Sequence, residues 1–342
     1  MSEPLWESVA EPSERFPSCH CSTVLMLDNG DLLAGYYAGE GEARPDAAWV
    51  FARKAAGSPE WGPLSIVADE PGKPEGNGIL FENARREVIL VWGTMHGKLD
   101  GPYGPGVRWV TCDLKMRVSG DRGATWSEDR MIETELGHVP HSKPIRLGNG
   151  SIIFGTEFKG GYSRFWTSED EGHSWSETGP LLGEPNQHPT LIERSDGSVL
   201  ALLRPSGKHS RVLRSVSEDG GRTWSDAVVT DLPCPHAAID AVKLGDGRIV
   251  LVWNNNADAR NPLTLTVSED DGDTWVATRD LITGEGSFHY PAIIEGAPGR
   301  LHVTFTNNRR TIDHVELPVE WIYGDGPDLA PWIDENSVRG TA

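Results

Sequence analysis

Cysteine is scarce in this chain. Cys19, Cys21, Cys112 and Cys234 are the four in 342 residues. Their small number and wide scatter exclude a disulfide framework, and they read as reduced thiols in a cytoplasmic protein. Cations are also in short supply: 31 Lys and Arg against 51 Asp and Glu give a formal net charge of −20. Such a surface repels nucleic acid and anionic lipid, so neither is expected as a partner. No run of 18 apolar residues occurs, which excludes a helical membrane span. The acidic opening MSEPLWESVAEPSERF lacks the apolar core of a signal peptide. Stretches of 3.6-residue periodicity are missing too, so a helical repeat is excluded.

Glycine (39), proline (24) and tryptophan (13) are plentiful, as expected for short strands joined by many turns. Four segments align without gaps: SGDRGATW (119–126), SEDEGHSW (168–175), SEDGGRTW (217–224) and SEDDGDTW (268–275). Their first residues lie 49, 49 and 51 apart. In the shared pattern S-x-D-x-G-x-[ST]-W the Asp accepts N–H bonds of its own turn. It is Asp121, Asp170 or Asp219, and in the fourth copy Asp271 or its neighbour Asp270. The Gly permits positive φ, and the Trp buries a large area between neighbouring units. Polar-Gly turns recur as LDNGD (27–31), LGNGS (147–151), RSDGS (194–198) and LGDGR (244–248), each followed by a β-rich run. A four-stranded unit about every 50 residues is a propeller blade.

Two more blades lack the box, one ending at the degenerate turn AAGSPEW (55–61) and one running through GRLHVTFTNN and TIDHVEL. The expectation is an all-β, six-bladed β-propeller with Asp-box turns, a single domain over 1–342. Its blades lie near 17–61, 76–126, 138–175, 186–224, 233–275 and 287–323. The ring closes with a strand from 4–10 or from 319–323, and 325–342 forms a loosely ordered tail.

The boxes belong to outer turns and are structural. A propeller site lies instead at the channel mouth, where the innermost strands begin. Those openings hold His20, Asn77, His138 with His141 and Lys143, Gln187 with His188, His236 with Asp240, and His289 with Tyr290. Any one of these histidines alone would be an ordinary loop residue. Six of the chain's eleven histidines track the repeat, and equivalent positions of six blades converge on one axis, which points to a shared pocket. Convergent histidines also suit zinc, but Cys19 and Cys21 should point away from His20 on a strand and pack between blades. No metal and no cofactor is expected.

Over residues 15–317 the chain resembles the sialidase superfamily, and most closely its sialidase-like branch with BNR (Asp-box) repeats. The segments that carry the likeness are RFPS (15–18) followed by DNGDLLAGYYAGE, NQHPTLIERSDGSVLALLRP, and FHYPAII. The resemblance implies that Arg15 and Arg204 are the first two arginines of a carboxylate-binding triad and that Tyr290 is the nucleophile. His188 stands where the family has the glutamate that activates the tyrosine. No arginine stands just before Tyr290, where the chain reads GEGSF, and Asp46 is the nearest candidate for the acid/base. These departures imply a substrate other than sialic acid.

The expected catalytic set is therefore Tyr290, His188 and His20. Arg204, Arg15, Asn77, His141, Lys143, Gln187, His236, Asp240, His289 and Arg310 are expected to bind substrate. Two chemistries fit: exo-acting hydrolysis of an anionic oligosaccharide through a tyrosine nucleophile, and β-elimination from a uronate with Tyr or His taking the C5 proton. A glycan- or protein-binding propeller without catalysis is the third reading.

Overall fold

The computed structural model describes residues 3–99, 106–107 and 109–324; the tail expected at 325–342 lies outside them. Six antiparallel sheets follow one another along the chain. Blade one comprises Ser18–Met26, Leu32–Gly39, Ala48–Lys54 and Ser65–Ala68, and blade two Glu75–Glu82, Val88–Thr94, Leu114–Ser119 and Arg130–Glu133. Blades three, four and five open at His138, Asn186 and Asp240 and end with Ser176–Thr178, Val228–Pro233 and Ala277–Ile282. The box is the turn between third and fourth strands, so each outer strand lies beyond its Trp, further along the chain than the boundaries read from the repeat.

Blade six holds Phe288–Glu295, Arg300–Asn307 and Thr311–Pro318, and its fourth strand is Leu5–Ala10. Leu5 pairs with Glu316 and Ala10 with Ile312. The N-terminal segment therefore closes the ring. Residues Val319–Tyr323 form a 3-10 helix instead, held by Arg279 Nη1 donating to the Trp321 carbonyl at 2.6 Å.

The core lies between blades. Trp49, Trp92, Trp166 and Trp253 are fully buried. Trp49 fits between blades one and two only because Gly35 and Gly78 have no side chain; a Cβ there would come within 2.3 and 2.2 Å of the indole. Box tryptophans bridge to the preceding blade. Trp126 meets Phe51 edge-on at 6.4 Å, Trp175 meets Phe81 at 6.2 Å, and Trp224 stacks on Phe165 at 4.1 Å.

Each box is a closed set of turn bonds. Asp219 accepts from the Thr223 N–H (2.8 Å), the Thr223 hydroxyl (2.6 Å) and the Ser217 hydroxyl (2.9 Å). In the fourth copy Asp270 has this role. Its neighbour Asp271 instead reaches Ser195 and Lys243. Asp219→Ala is expected to cost about 1 kcal/mol and to lower Tm by a few degrees, with activity per folded molecule unchanged. Thermal unfolding measured beside a turnover assay checks this. Lost turnover at unchanged Tm would contradict a structural role.

The boxes also shape the acid response. Asp121, Asp219 and Asp270 are held at about 2, chiefly by the Thr125, Thr223 and Thr274 hydroxyls. At Asp170 partial burial acts the other way and is outweighed by Ser174, with the same result, about 2. The buried histidines titrate earlier. His138 is pushed down to about 4 by burial and then Arg164, and His289 to about 3 by burial and then Arg260. A folded-state pKa below the ordinary ~6.5 means that the unfolded chain binds the proton first, so stability falls as pH drops from about 6.5 toward those values. The box contribution is present above about 3.8 and is lost only as pH falls from there toward 2. Melting curves are expected to show Tm declining first between about pH 6.5 and 4, with a loss of roughly 3 kcal/mol for each such histidine at ~1.4 kcal/mol per pH unit, and again below pH 4. A flat Tm from pH 7 to 4 would contradict the histidine assignment.

Candidate active site

The innermost strands of blades one, two, four and six break register at the same place, blade two passing from Glu75–Thr94 to Gly78–Trp92. Pairing jumps from His20–Tyr37 to Thr23–Gly35, from Gln187–Arg204 to Thr190–Leu202, and from His289–Thr306 to Ala292–Thr304. Each jump is a bulge with one extra residue on the inner strand, a device that re-aims a side chain. The re-aimed residues are Cys21 (φ 59°), His188 (φ 45°) and Tyr290 (φ 46°), and His236 (φ 51°) adopts the same backbone ahead of blade five. These left-handed non-glycine conformations are strained and persist where the surrounding structure enforces them. His20 is thus equivalent to Gln187 and His289. Cys21 holds the position of His188 and Tyr290.

Tyr290 lies at the centre of the cluster, 9% exposed. The ring of His20 meets it edge-on at 4.7 Å, that of His141 at 5.1 Å, and that of His188 at 5.7 Å. His20 also touches His289 at 5.3 Å. Both ring nitrogens of His20 and the Nε2 of His141 are buried without partners, and Cys21 Sγ is 3.6 Å from His141 Nδ1. The Tyr290–His188 pair expected from the sequence is not hydrogen-bonded. His188 Nε2 lies 3.0 Å from Glu157 Oε2 and its Nδ1 lies 3.5 Å from Arg204 Nη1. Burial holds His188 below its ordinary pKa against the pull of Glu157. Glu157 is held down by His188 despite its own burial. Both directions describe a neutral imidazole donating Nε2–H to an ionised carboxylate.

Three arginines converge on this cluster. Arg204 faces His188, and its Nε is buried without a partner. Arg260 Nη1 reaches His289 Nδ1 at 2.6 Å, its Nη2 donates to the His236 carbonyl at 3.3 Å, and its guanidinium carbon is 5.8 Å from the Tyr290 ring centre. Arg309 is ion-paired to Glu42. Burial raises the Tyr290 pKa, and Arg204 is the largest opposing influence. Arg204 and Arg260 are half-buried, and neither forms an ion pair with a carboxylate among the described residues.

Other expected positions fall elsewhere. Arg15 is exposed and pairs with Asp69 at 2.9 Å, outside the cluster. Arg310 is exposed; the turn after Asn307 turns Arg309 inward instead. Lys143 and Asp240 hold blades together: Lys143 Nζ is 2.8 Å from Asp240 Oδ2, and Asp240 also accepts from Thr190 Oγ1 and the Ile293 N–H. With all these partners and no exposure, Asp240 does not face substrate. His138 packs between Phe158 and Trp166. Asp46 is exposed and accepts the Glu40 N–H at 2.7 Å. Besides Glu157, a carboxylate beside the cluster is Glu42, which also takes a bond from Trp109 Nε1 at 2.9 Å.

Asn77 is buried with its Oδ1 unpartnered, and Gln187 Nε2 donates to the Gly160 carbonyl at 2.9 Å. His236 Nδ1 donates to the Pro205 carbonyl at 3.1 Å. All four cysteines are free and buried. Cys19 packs between blade one and the closing strand, whereas the bulge brings Cys21 to the site. Among the described residues no three His, Cys, Asp or Glu side chains are grouped to hold a metal ion.

Sequence reasoning missed Arg260, Arg309, Glu42 and Glu157. The signal for Arg260 was present, since NNNADARN follows the second strand of blade five just as Arg204 ends that of blade four.

Six blades around an axial Tyr–His–Arg cluster define a sialidase-like propeller. Residues 30–303 match the BNR repeat-like domain, and the chain belongs to that family. It is 25% identical to a sialidase of Micromonospora viridifaciens over 350 residues, covering 91% of this chain and 53% of that protein. It is 27% identical to an anhydrosialidase of Macrobdella decora over 181 residues, covering 48% and 23%. The chain thus spans about half or less of these relatives' length. Among solved structures it superposes on the Hadza microbial sialidase Hz136 with a TM-score of 0.80 at 16% identity, covering 93% of this chain and 69% of that one. For the intramolecular trans-sialidase from Ruminococcus gnavus the values are 0.75, 14%, 94% and 98%. At those identities the structural likeness establishes the fold.

Proposed function

We propose that the protein is an exo-acting glycoside hydrolase for an anionic oligosaccharide, with Tyr290 as nucleophile and Arg204 and Arg260 gripping the carboxylate of the terminal sugar. The observation that carries this reading is the pair of half-buried guanidiniums without a carboxylate partner among the described residues, in a chain of net charge −20. Guanidiniums removed from water need an anion, and their forked donors match a carboxylate in two-bond geometry. Bond by bond, the Tyr290 oxygen joins the anomeric carbon and the glycosidic C–O bond breaks. The leaving oxygen takes a proton from water, because Glu42 is already ion-paired to Arg309.

A uronate fits this site better than sialic acid. Arg15, matched to the clamp by the family resemblance, is exposed and paired with Asp69; Asp46, the nearest candidate for the acid/base, is exposed and bonded to the Glu40 N–H; and His188 replaces the glutamate. The test is a screen of uronate- and sialate-capped oligosaccharides and fluorogenic glycosides. Uronide cleavage is the expected result. Efficient release of 4-methylumbelliferone from its sialoside would contradict the preference.

A second reading is a uronate lyase. It is favoured by His20, whose two unpartnered nitrogens beside Tyr290 suit removal of a C5 proton. Its signature in the same screen is ultraviolet absorbance from an unsaturated product.

A further inference from the structure

We propose that Glu157, His188 and Tyr290 form one proton relay, with Glu157 as a positioning residue that sets His188 to take the Tyr290 phenol proton. The relay deepens the hydrolase reading and rests on it.

Glu157 lies in strand Ile152–Phe158 of blade three, on the blade next to His188, and its side chain is 12% exposed. No Lys or Arg pairs with it among the described residues. A buried carboxylate with His188 as its partner is ionised and accepts the Nε2 proton. That bond fixes the tautomer and leaves the Nδ1 lone pair as His188's open position. Arg204 meets Nδ1 at 3.5 Å, the outer limit of a hydrogen bond. A substrate carboxylate draws the Arg204 guanidinium to itself and frees Nδ1 for the phenol.

The other imidazoles near Tyr290 are arranged differently. His289 is engaged at both nitrogens, by Arg260 and Ser287. His141 is engaged by Cys21. His20 has no orienting partner at all. His188 alone among these joins an imidazole to a carboxylate, the arrangement that stabilises a transient imidazolium.

The proton balance closes. In glycosylation the Tyr290 O–H bond breaks, an N–H bond forms at His188 Nδ1, and the resulting imidazolium faces the Glu157 carboxylate. In deglycosylation the hydroxide left when water protonated the leaving oxygen attacks the anomeric carbon. The C–O bond to Tyr290 breaks, and the phenolate recovers its proton from His188. The charged and titratable groups facing His188 are Glu157, Arg204, Arg260, His141 and Tyr290.

The test is Glu157→Gln in the full chain on a substrate that the native protein turns over. The amide keeps the size and loses the charge. The expected result is a kcat lower by about 10- to 100-fold with KM within about twofold. The acid limb of kcat should shift to lower pH, because the Glu157 carboxylate favours protonated His188 and its loss lowers that pKa. Glu157→Asp should recover part of the rate. A kcat within twofold of native and an unmoved acid limb would overturn the relay. So would a proton on Nδ1 rather than Nε2 of His188 by ¹⁵N NMR of the native protein, a measurement that does not depend on how the variants fold. Tyr290→Phe separates the failures. If it is fully active, the hydrolase reading itself fails. If it is inactive while Glu157→Gln behaves as native, only the relay fails.

Discussion

Tyr290→Phe is expected to lower kcat by about 10²-fold or more, the scale of a lost nucleophile or acid/base, with KM little changed. The substitution removes one oxygen and leaves intact the ring packing against His20, His141 and His188. The phenol is the group at which the opposing influences of the site meet. Burial keeps it protonated, and Arg204 and Arg260 favour its phenolate. His188→Ala should do comparable damage, and the double variant should be little worse than either single one, because groups acting as a unit are not additive. Steady-state kinetics with matched thermal unfolding checks all three. Full activity of Tyr290→Phe would leave a glycan-binding propeller as the better account.

The second large effect falls on binding. Arg204→Lys replaces a two-bond grip with a point charge and should raise KM by roughly 10-fold or more, in line with charge-assisted hydrogen bonds. Arg260→Ala should do as much. It removes the guanidinium over Tyr290 and the bond to His289, so kcat should fall as well. Neither substitution should lower Tm by much, because among the described residues neither arginine forms an ion pair with a carboxylate. Unchanged KM in both variants would remove the clamp.

The repeat was legible in the sequence because its determinants are local. Ser217, Asp219, Gly221 and Thr223 close their turn within seven residues, so four copies announce four blades. The closing strand was legible only as a choice between two segments, because pairing Leu5 with Glu316 is a contact across the whole chain. The site was partly legible. Tyr290, His188, His20, His141, His289 and Arg204 were named and do converge. The bulges were not legible, because these inner strands are buried almost throughout and carry no apolar–polar alternation for one extra residue to interrupt, and so Cys21 was set aside. Arg309 and Arg310 are neighbours in one turn, and backbone geometry alone selects between them. Lys143 and Asp240 carry the charges expected of a site, and only their mutual bond and those to Thr190 and Ile293 reveal a link between blades.

The proposed function stands on Arg204 and Arg260, two guanidiniums beside Tyr290 without a carboxylate partner among the described residues. Titration calorimetry tests it most directly, comparing a uronate-terminated oligosaccharide with its methyl ester on the Tyr290→Phe protein, where turnover does not intrude. The account predicts measurable binding of the acid and a loss of at least 10-fold for the ester, with the difference shrinking in Arg204→Lys. Equal affinity for acid and ester would contradict it.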